Sequence, residues 1–182
     1  SVEGFVFYLV QYSLTNVNTF LTILAFGYIT KGILQNNSSV REFVLLDDLK
    51  GQFYKNPLLV ISFSVSLFSM AGIPPLMGFF AKQMVLYSVS YNYSYVAILA
   101  IVMSVISASY YLKIVQLMFF QKDSAPTILS SEGETSETGT PLITSMHSSV
   151  IAILTLMISL YLFDSSILLN ACHLLSLSLF SS

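Results

Sequence analysis

Charged residues punctuate this chain at long intervals. None occurs between Glu3 and Lys31, between Lys55 and Lys82, between Lys82 and Lys113, or between Glu137 and Asp164. Each interval is long enough to hold the roughly 20 residues that cross a bilayer as helix. The pattern predicts an all-α integral membrane protein with four crossings, over about 5–34, 57–91, 96–120 and 147–163. A loop over 35–56 and an acidic linker over 121–146 separate them, and an apolar tail over 165–182 follows, too short to be read as a fifth crossing.

Polar residues inside these apolar runs refine the picture. The first run contains Gln11, Asn16 and Asn18, which hydrocarbon tolerates only when neighbouring helices supply partners. Lys31 falls near its end, where the stem reaches the headgroups. Within the loop, Val40 to Leu49 has the spacing of a short amphipathic helix, with Ser38 or Ser39 as cap and Gly51 as terminator. The turn "SYNYSY" at 90–95 is aromatic in the way membrane interfaces are. Ser104, Ser107, Ala108 and Ser109 permit close helix contact in the third crossing.

The second run behaves differently. From Pro57 to Tyr91 it counts 35 residues, about 52 Å of straight helix at 1.5 Å per residue, against a hydrocarbon thickness of about 30 Å. No polar turn divides it; its middle reads Gly72, Ile73, Pro74, Pro75, Leu76, Met77, Gly78. Paired prolines remove two donors, free carbonyls a turn earlier and push the residues before them out of helical geometry. Freed carbonyls facing lipid cost several kcal/mol each, so such breaks belong where protein or water covers them. A discontinuous helix inside a bundle is therefore expected, the device that transporters place around ion sites. Lys82 follows on the second half, ten residues before Asn92, hence about 15 Å from that interface. A lysine at that depth is costly and marks a functional site by default. Lys113 lies about 10 Å inside the end of its helix; the reading is divided between a membrane anchor and a proton path.

Composition agrees with an apolar surrounding: 55% hydrophobic, 9% charged, mean hydropathy +0.78, where a soluble domain carries about 25% charge. A net charge of −2 without a basic cluster argues against nucleic acid. One cysteine, Cys172, and two histidines, His147 and His173, supply no disulfide and no ligand set for haem or iron–sulfur clusters. The beginning "SVEGFVFYLV" has neither an initiator Met nor a basic region; the expectation is a longer polypeptide that was split or processed. Arg41, Lys50, Lys55 and Lys122 fall in the two long loops, and the turn at 90–95 has no charge, which predicts the long loops on the cytoplasmic or matrix side.

The stretches "DDLKGQFYKNPLLVISFSVSLFSMAGIPPLMGFFAKQMVL" and "SVISASYYLKIVQLMFF" resemble the antiporter-like membrane subunits of NADH:ubiquinone oxidoreductase (respiratory complex I), in particular the C-terminal half of the chain 2 group, related to Mrp-type cation/proton antiporters. The resemblance covers roughly residues 5–120, and the remainder only by position. It implies two inverted five-helix repeats, each with one broken helix carrying an ionisable residue. Gly72, Ile73, Pro74, Pro75 and Gly78 would form the break of the second repeat, Lys82 the exit-side lysine of a half-channel, and Lys113 a polar contact on the following helix. Tyr8 and Tyr12 would line hydrated paths. The implied function is proton translocation in the mitochondrial inner membrane, without cofactor in this chain; FMN, iron–sulfur clusters and ubiquinone would sit elsewhere in the complex. Implied partners are the N-terminal half of the subunit, neighbouring antiporter-like and small membrane-arm subunits, and lipid. Two other readings stay open: a structural or assembly subunit without its own proton path, and a subunit of a secondary cation/proton antiporter.

Overall fold

The computed structural model describes residues 2–34, 49–74, 76–120, 145–161 and 165–180. The described residues form seven helices and no strand: α1 (Val2–Leu34), α2 (Gln52–Lys55), α3 (Pro57–Ala71), α4 (Met77–Ser90), α5 (Ser94–Phe120), α6 (Ser145–Leu160) and α7 (Ser165–Phe180). The expected amphipathic helix over Val40 to Leu49, except for Leu49, and the acidic linker, except for Ser145 and Met146 at the start of α6, fall outside the described residues, as does Pro75. Gly51 takes up a left-handed conformation (φ 67°) in front of α2. The expected tail is the helix α7, which packs on α1.

Of the four expected crossings, one among the described residues meets both length and apolarity in a single helix: α5, 27 residues with its apolar window unburied. The other charge-free intervals do not each hold a single helix that is both long and apolar enough, because a lack of charge is weaker than apolarity. α1 has the length, with 33 residues, yet interrupts its apolar surface with Gln11, Thr15, Asn18 and Thr22, all buried. α3 and α4, at 15 and 14 residues, are each shorter than a crossing, and α6 has 16.

α1 is the hub, packed against α3, α4, α6 and α7, while α3 also packs against α5. Two apolar clusters hold the bundle. Phe26, Val60, Phe63, Leu67, Val115 and Met118 join α1, α3 and α5, with Phe26 and Phe63 edge to face at 6.1 Å between ring centres. Val6, Phe7, Met77, Ala81, Tyr161 and Cys172 join α1, α4, α7 and the residue after α6. Both clusters flank the α3–α4 break, which leaves its polar groups against α1 and α5.

Candidate functional site

α3 starts at Pro57, whose fixed φ and missing N–H cost nothing at a first helical position. It ends at Gly72, in the left-handed region at φ 83°, where an L side chain is strained. The Gly72 N–H bonds Ser69 O and Phe68 O at 3.1 Å each, and the Ile73 N–H bonds Phe68 O at 3.1 Å. This is a Schellman ending, and it leaves the last two carbonyls of α3, Met70 O and Ala71 O, without a backbone donor of that motif.

Lys82 takes both. Its Nζ donates to Met70 O at 2.7 Å, to Ala71 O at 3.2 Å and to Ser104 Oγ on α5 at 2.9 Å. An ammonium has three N–H donors, and here three acceptors meet them. The carbonyl end of α3 also carries the negative pole of its helix dipole, which favours a cation. Hydrogen bonds to a charged group contribute about 1.5–3 kcal/mol each, the scale needed to hold a half-buried lysine among apolar helices. Every acceptor is neutral, and the side chain has no carboxylate partner among these contacts.

The other half of the break is stitched by Ser69. Its Oγ accepts the Gly78 N–H at 3.1 Å, satisfying a donor in the first turn of α4, and also accepts from Gln11 Nε2 at 3.4 Å. The two half-helices touch closely there: a Cβ on residue 78 would lie 1.7 Å from Ser69 O, so only glycine fits. At Gly72 a Cβ would meet Lys82 Cδ at 3.1 Å. Both glycines of the break are thus tied to the placement of the lysine, one directly and one through the approach of α4 to α3.

A cavity of about 440 Å³ opens beside Lys82 between α1, α3, α4 and α5. Tyr8, Gln11, Tyr12 and Thr15 line it from α1, Ser69 and Met70 from α3, and Ser104, Ser107 and Tyr111 from α5. Tyr8 and Tyr12 stack with ring centres 6.2 Å apart. The cavity can hold water against a protonatable amine, hydroxyls and a carboxamide. Among the described residues, no group of three or more His, Cys, Asp and Glu side chains is placed to hold a metal ion.

Of the break residues, Gly72 lies against Lys82 and Gly78 against Ser69, with Pro74 exposed at the bend. Lys113 is exposed on α5 and is not brought to the Lys82 cavity. His147 and His173 are both exposed. Sequence reasoning missed Gln11, Ser69 and Ser104 as members of one site. Ser104 was visible only as a small residue in a close-packing stretch, because its contact with Lys82 lies between two helices.

Residues 1–107 match the pattern of the NADH:quinone oxidoreductase/Mrp antiporter transmembrane family. NADH-ubiquinone oxidoreductase chain 2 of Rhizopus oryzae is 44% identical over 99% of this chain, which extends the likeness well beyond residue 120. NADH-quinone oxidoreductase subunit N of Hydrogenovibrio crunogenus is 41% identical over 64% of it. The chain spans 37% and 22% of the lengths of these two curated relatives. In fold it resembles a chain of respiratory complex I from Thermus thermophilus with bound aureothin, with a TM-score of 0.65 at 24% identity, covering 92% of this chain and 34% of that one. With the family pattern spanning more than half of its residues, including the whole α3–α4 break and Lys82, this chain belongs to the NADH:quinone oxidoreductase/Mrp antiporter transmembrane family.

Proposed function

We propose that this chain contributes a half-channel to the proton-translocating membrane arm of NADH:ubiquinone oxidoreductase, with Lys82 as the group that holds and releases the proton. The observation that carries the reading is the threefold contact of Lys82 Nζ with Met70 O, Ala71 O and Ser104 Oγ at the edge of a polar-lined cavity. The names of the relatives supply the enzyme.

The geometry couples charge to shape. Protonated, Lys82 satisfies three acceptors and clamps the end of α3. On losing a proton it keeps two N–H donors and gains a lone pair, so one contact is given up. A carbonyl released in this way turns to the cavity, where water can meet it, and reloading the amine closes the clamp again. Proton occupancy and the closure of the break are then one variable. Electron transfer from NADH to quinone belongs to other subunits, together with FMN and the iron–sulfur clusters.

In the same reading α1, the α3–α4 pair, α5 and α6 cross the mitochondrial inner membrane, with the long loops on the matrix side. The remaining helices of the inverted-repeat bundle come from the N-terminal half of the subunit, beside other antiporter-like and small membrane-arm subunits and lipid. Lys113, exposed on α5, serves as an anchor at the membrane surface or contacts such a neighbour. Because the family includes Mrp antiporters, a secondary cation/proton antiporter is the second reading. Transport driven by Na⁺ or K⁺ gradients without NADH would select it.

The deciding experiment measures protons translocated per NADH oxidised in sealed vesicles containing the assembled enzyme with Lys82→Met. The expected result is a loss of coupled turnover of about tenfold, equivalent to about 1.4 kcal/mol of barrier, at normal assembly. An unchanged rate and ratio would leave the break as scaffold around a channel elsewhere.

A further inference from the structure

α1 and α3 meet along two polar stripes. Gln11, Thr15, Asn18 and Thr22 recur at intervals of four and three on α1, and Ser62, Ser66 and Ser69 do so on α3; all seven are buried. Most hydroxyl protons here are used within their own helix. Thr15 donates to Gln11 O at 2.9 Å, Thr22 to Asn18 O at 2.7 Å, Ser66 to Ser62 O at 3.2 Å and Thr155 to Ile151 O at 2.7 Å. Donors that cross between helices therefore come mainly from the two carboxamides.

Asn18 uses its amide nitrogen twice, toward Ser66 Oγ at 2.8 Å and Thr155 Oγ1 at 3.2 Å. Its carboxamide oxygen receives no hydrogen bond, although the residue is 0% exposed. A buried acceptor left unpaired costs about 1–3 kcal/mol, and lipid offers nothing to relieve it. Buried sites of this kind are where internal water is held.

The position of Asn18 gives that site a consequence. Thr15, one turn before it on α1, lines the Lys82 cavity together with Ser69. Thr155, which accepts from Asn18, and Ser62 hydrogen-bond to each other and are polar members of the wall of a second, largely apolar cavity of about 560 Å³, bordered by Leu58, Ile61, Ile151 and Leu156. Each of the two cavities thus has a hydroxyl close to Asn18, Thr15 one turn away on α1 and Thr155 in direct hydrogen bond. A hydroxyl or a water can accept one proton while giving up another; a carboxamide is not a ready relay of this kind, so a path past Asn18 needs a water beside the amide.

We propose that Asn18 Oδ1 holds an internal water that joins the Lys82 cavity to the Ser62–Thr155 cavity as one line of exchangeable protons. Asn18 is a positioning residue: it aims the water and does not itself carry the proton. The inference rests on the reading of Lys82 as the proton-holding group, and gives that group a route toward the start of α3.

The test combines a map and two variants of the assembled enzyme. A high-resolution cryo-EM map is expected to show a water within hydrogen-bond distance of Asn18 Oδ1. Asn18→Leu, close in size and without polar atoms, is expected to lower proton-coupled turnover about tenfold. Asn18→Ser, which makes room for water and adds a hydroxyl, is expected to restore it to within about twofold and to alter the solvent deuterium isotope effect. A protein donor found on Oδ1 in place of water overturns the proposal, and so does full coupled turnover in Asn18→Leu. If the leucine variant does not assemble, the map and the serine variant decide: a serine variant that assembles and does not pump overturns it. Lys82→Met run in parallel separates the two readings, because a neutral result there sinks the proton role of Lys82, whereas a loss there with a neutral Asn18→Leu sinks only the route.

Discussion

α3 presents two faces to its neighbours, and they are held by different physics. One face sets Val60, Phe63 and Leu67 against Phe26 of α1 and against Val115 and Met118 of α5. The other sets Ser66 and Ser69 against Asn18 and Gln11 of α1, and Ser62 against Thr155 of α6. The apolar seam would lose little on exposure to hydrocarbon, since lipid tails are as apolar as the side chains; what holds it is shape and close packing. The polar seam has no alternative in lipid, because every donor and acceptor must find a protein partner there or water sealed within. The seam that costs most to open is therefore also the one beside the cavity, the break and the lysine. In a soluble bundle the roles would be reversed, with the apolar seam dominant.

The sharpest way to break this comparison is at the crossing point of the polar seam and the break. Gly78→Ala places a methyl group 1.7 Å from a backbone oxygen that cannot turn away. The expected cost is about 4 kcal/mol or more, at the extreme of single-residue effects, seen as loss of the chain from the assembled complex in membrane extracts. Normal assembly of this variant would mean that α4 does not approach α3 as described.

Next in size is the apolar seam. Phe63→Ala removes a ring packed edge to face on Phe26. In a soluble core such a change costs about 3–5 kcal/mol, part of it from transfer out of water. With lipid as the surrounding solvent the transfer part largely disappears, and the cavity part, about 2 kcal/mol, is expected to remain. Thermal inactivation of the assembled enzyme is the measurement, and Phe63→Leu, which refills part of the space, is expected to recover about half of the shift. A loss as large as that of Gly78→Ala would make the apolar seam the dominant one and reverse the comparison.

The same two faces explain what could be read from the sequence. Gly72, the Pro74–Pro75 pair and Lys82 announce a break and a costly charge, because their chemistry is unusual in an apolar run wherever it occurs. Asn18 and Gln11 announce a need for partners and do not name them: Ser66 is 48 positions away and Ser69 is 58. Serine is an uninformative letter here. In Ser104 it completes the coordination of Lys82; in Ser107 and Ser109 it bonds a carbonyl of its own helix. What each charge-free interval contains is hidden for a related reason. Charge-free length is visible in one dimension, whereas the sharing of polar groups between α1 and α3 appears only when the helices are side by side.

The finest test separates serines that serve the seam from serines that happen to be buried. Ser64 and Ser66 are both buried, two positions apart on α3, and both donate to a carbonyl one turn back, Val60 O at 2.7 Å and Ser62 O at 3.2 Å. Such back-bonding adds little to a helix whose carbonyls already accept from the backbone. Ser66 differs by also accepting the Asn18 amide across the interface. Ser66→Ala strands one N–H of a fully buried carboxamide and is expected to cost about 1–2 kcal/mol. Ser64→Ala strands nothing in its neighbours and favours helix propensity slightly, so a change within about 0.5 kcal/mol is expected. Thermal inactivation of the two assembled variants, compared on the same preparation, measures the gap. Equal shifts would mean that the α1–α3 contact is held by packing alone, and that the hydrogen bonds along it are passengers of the fold.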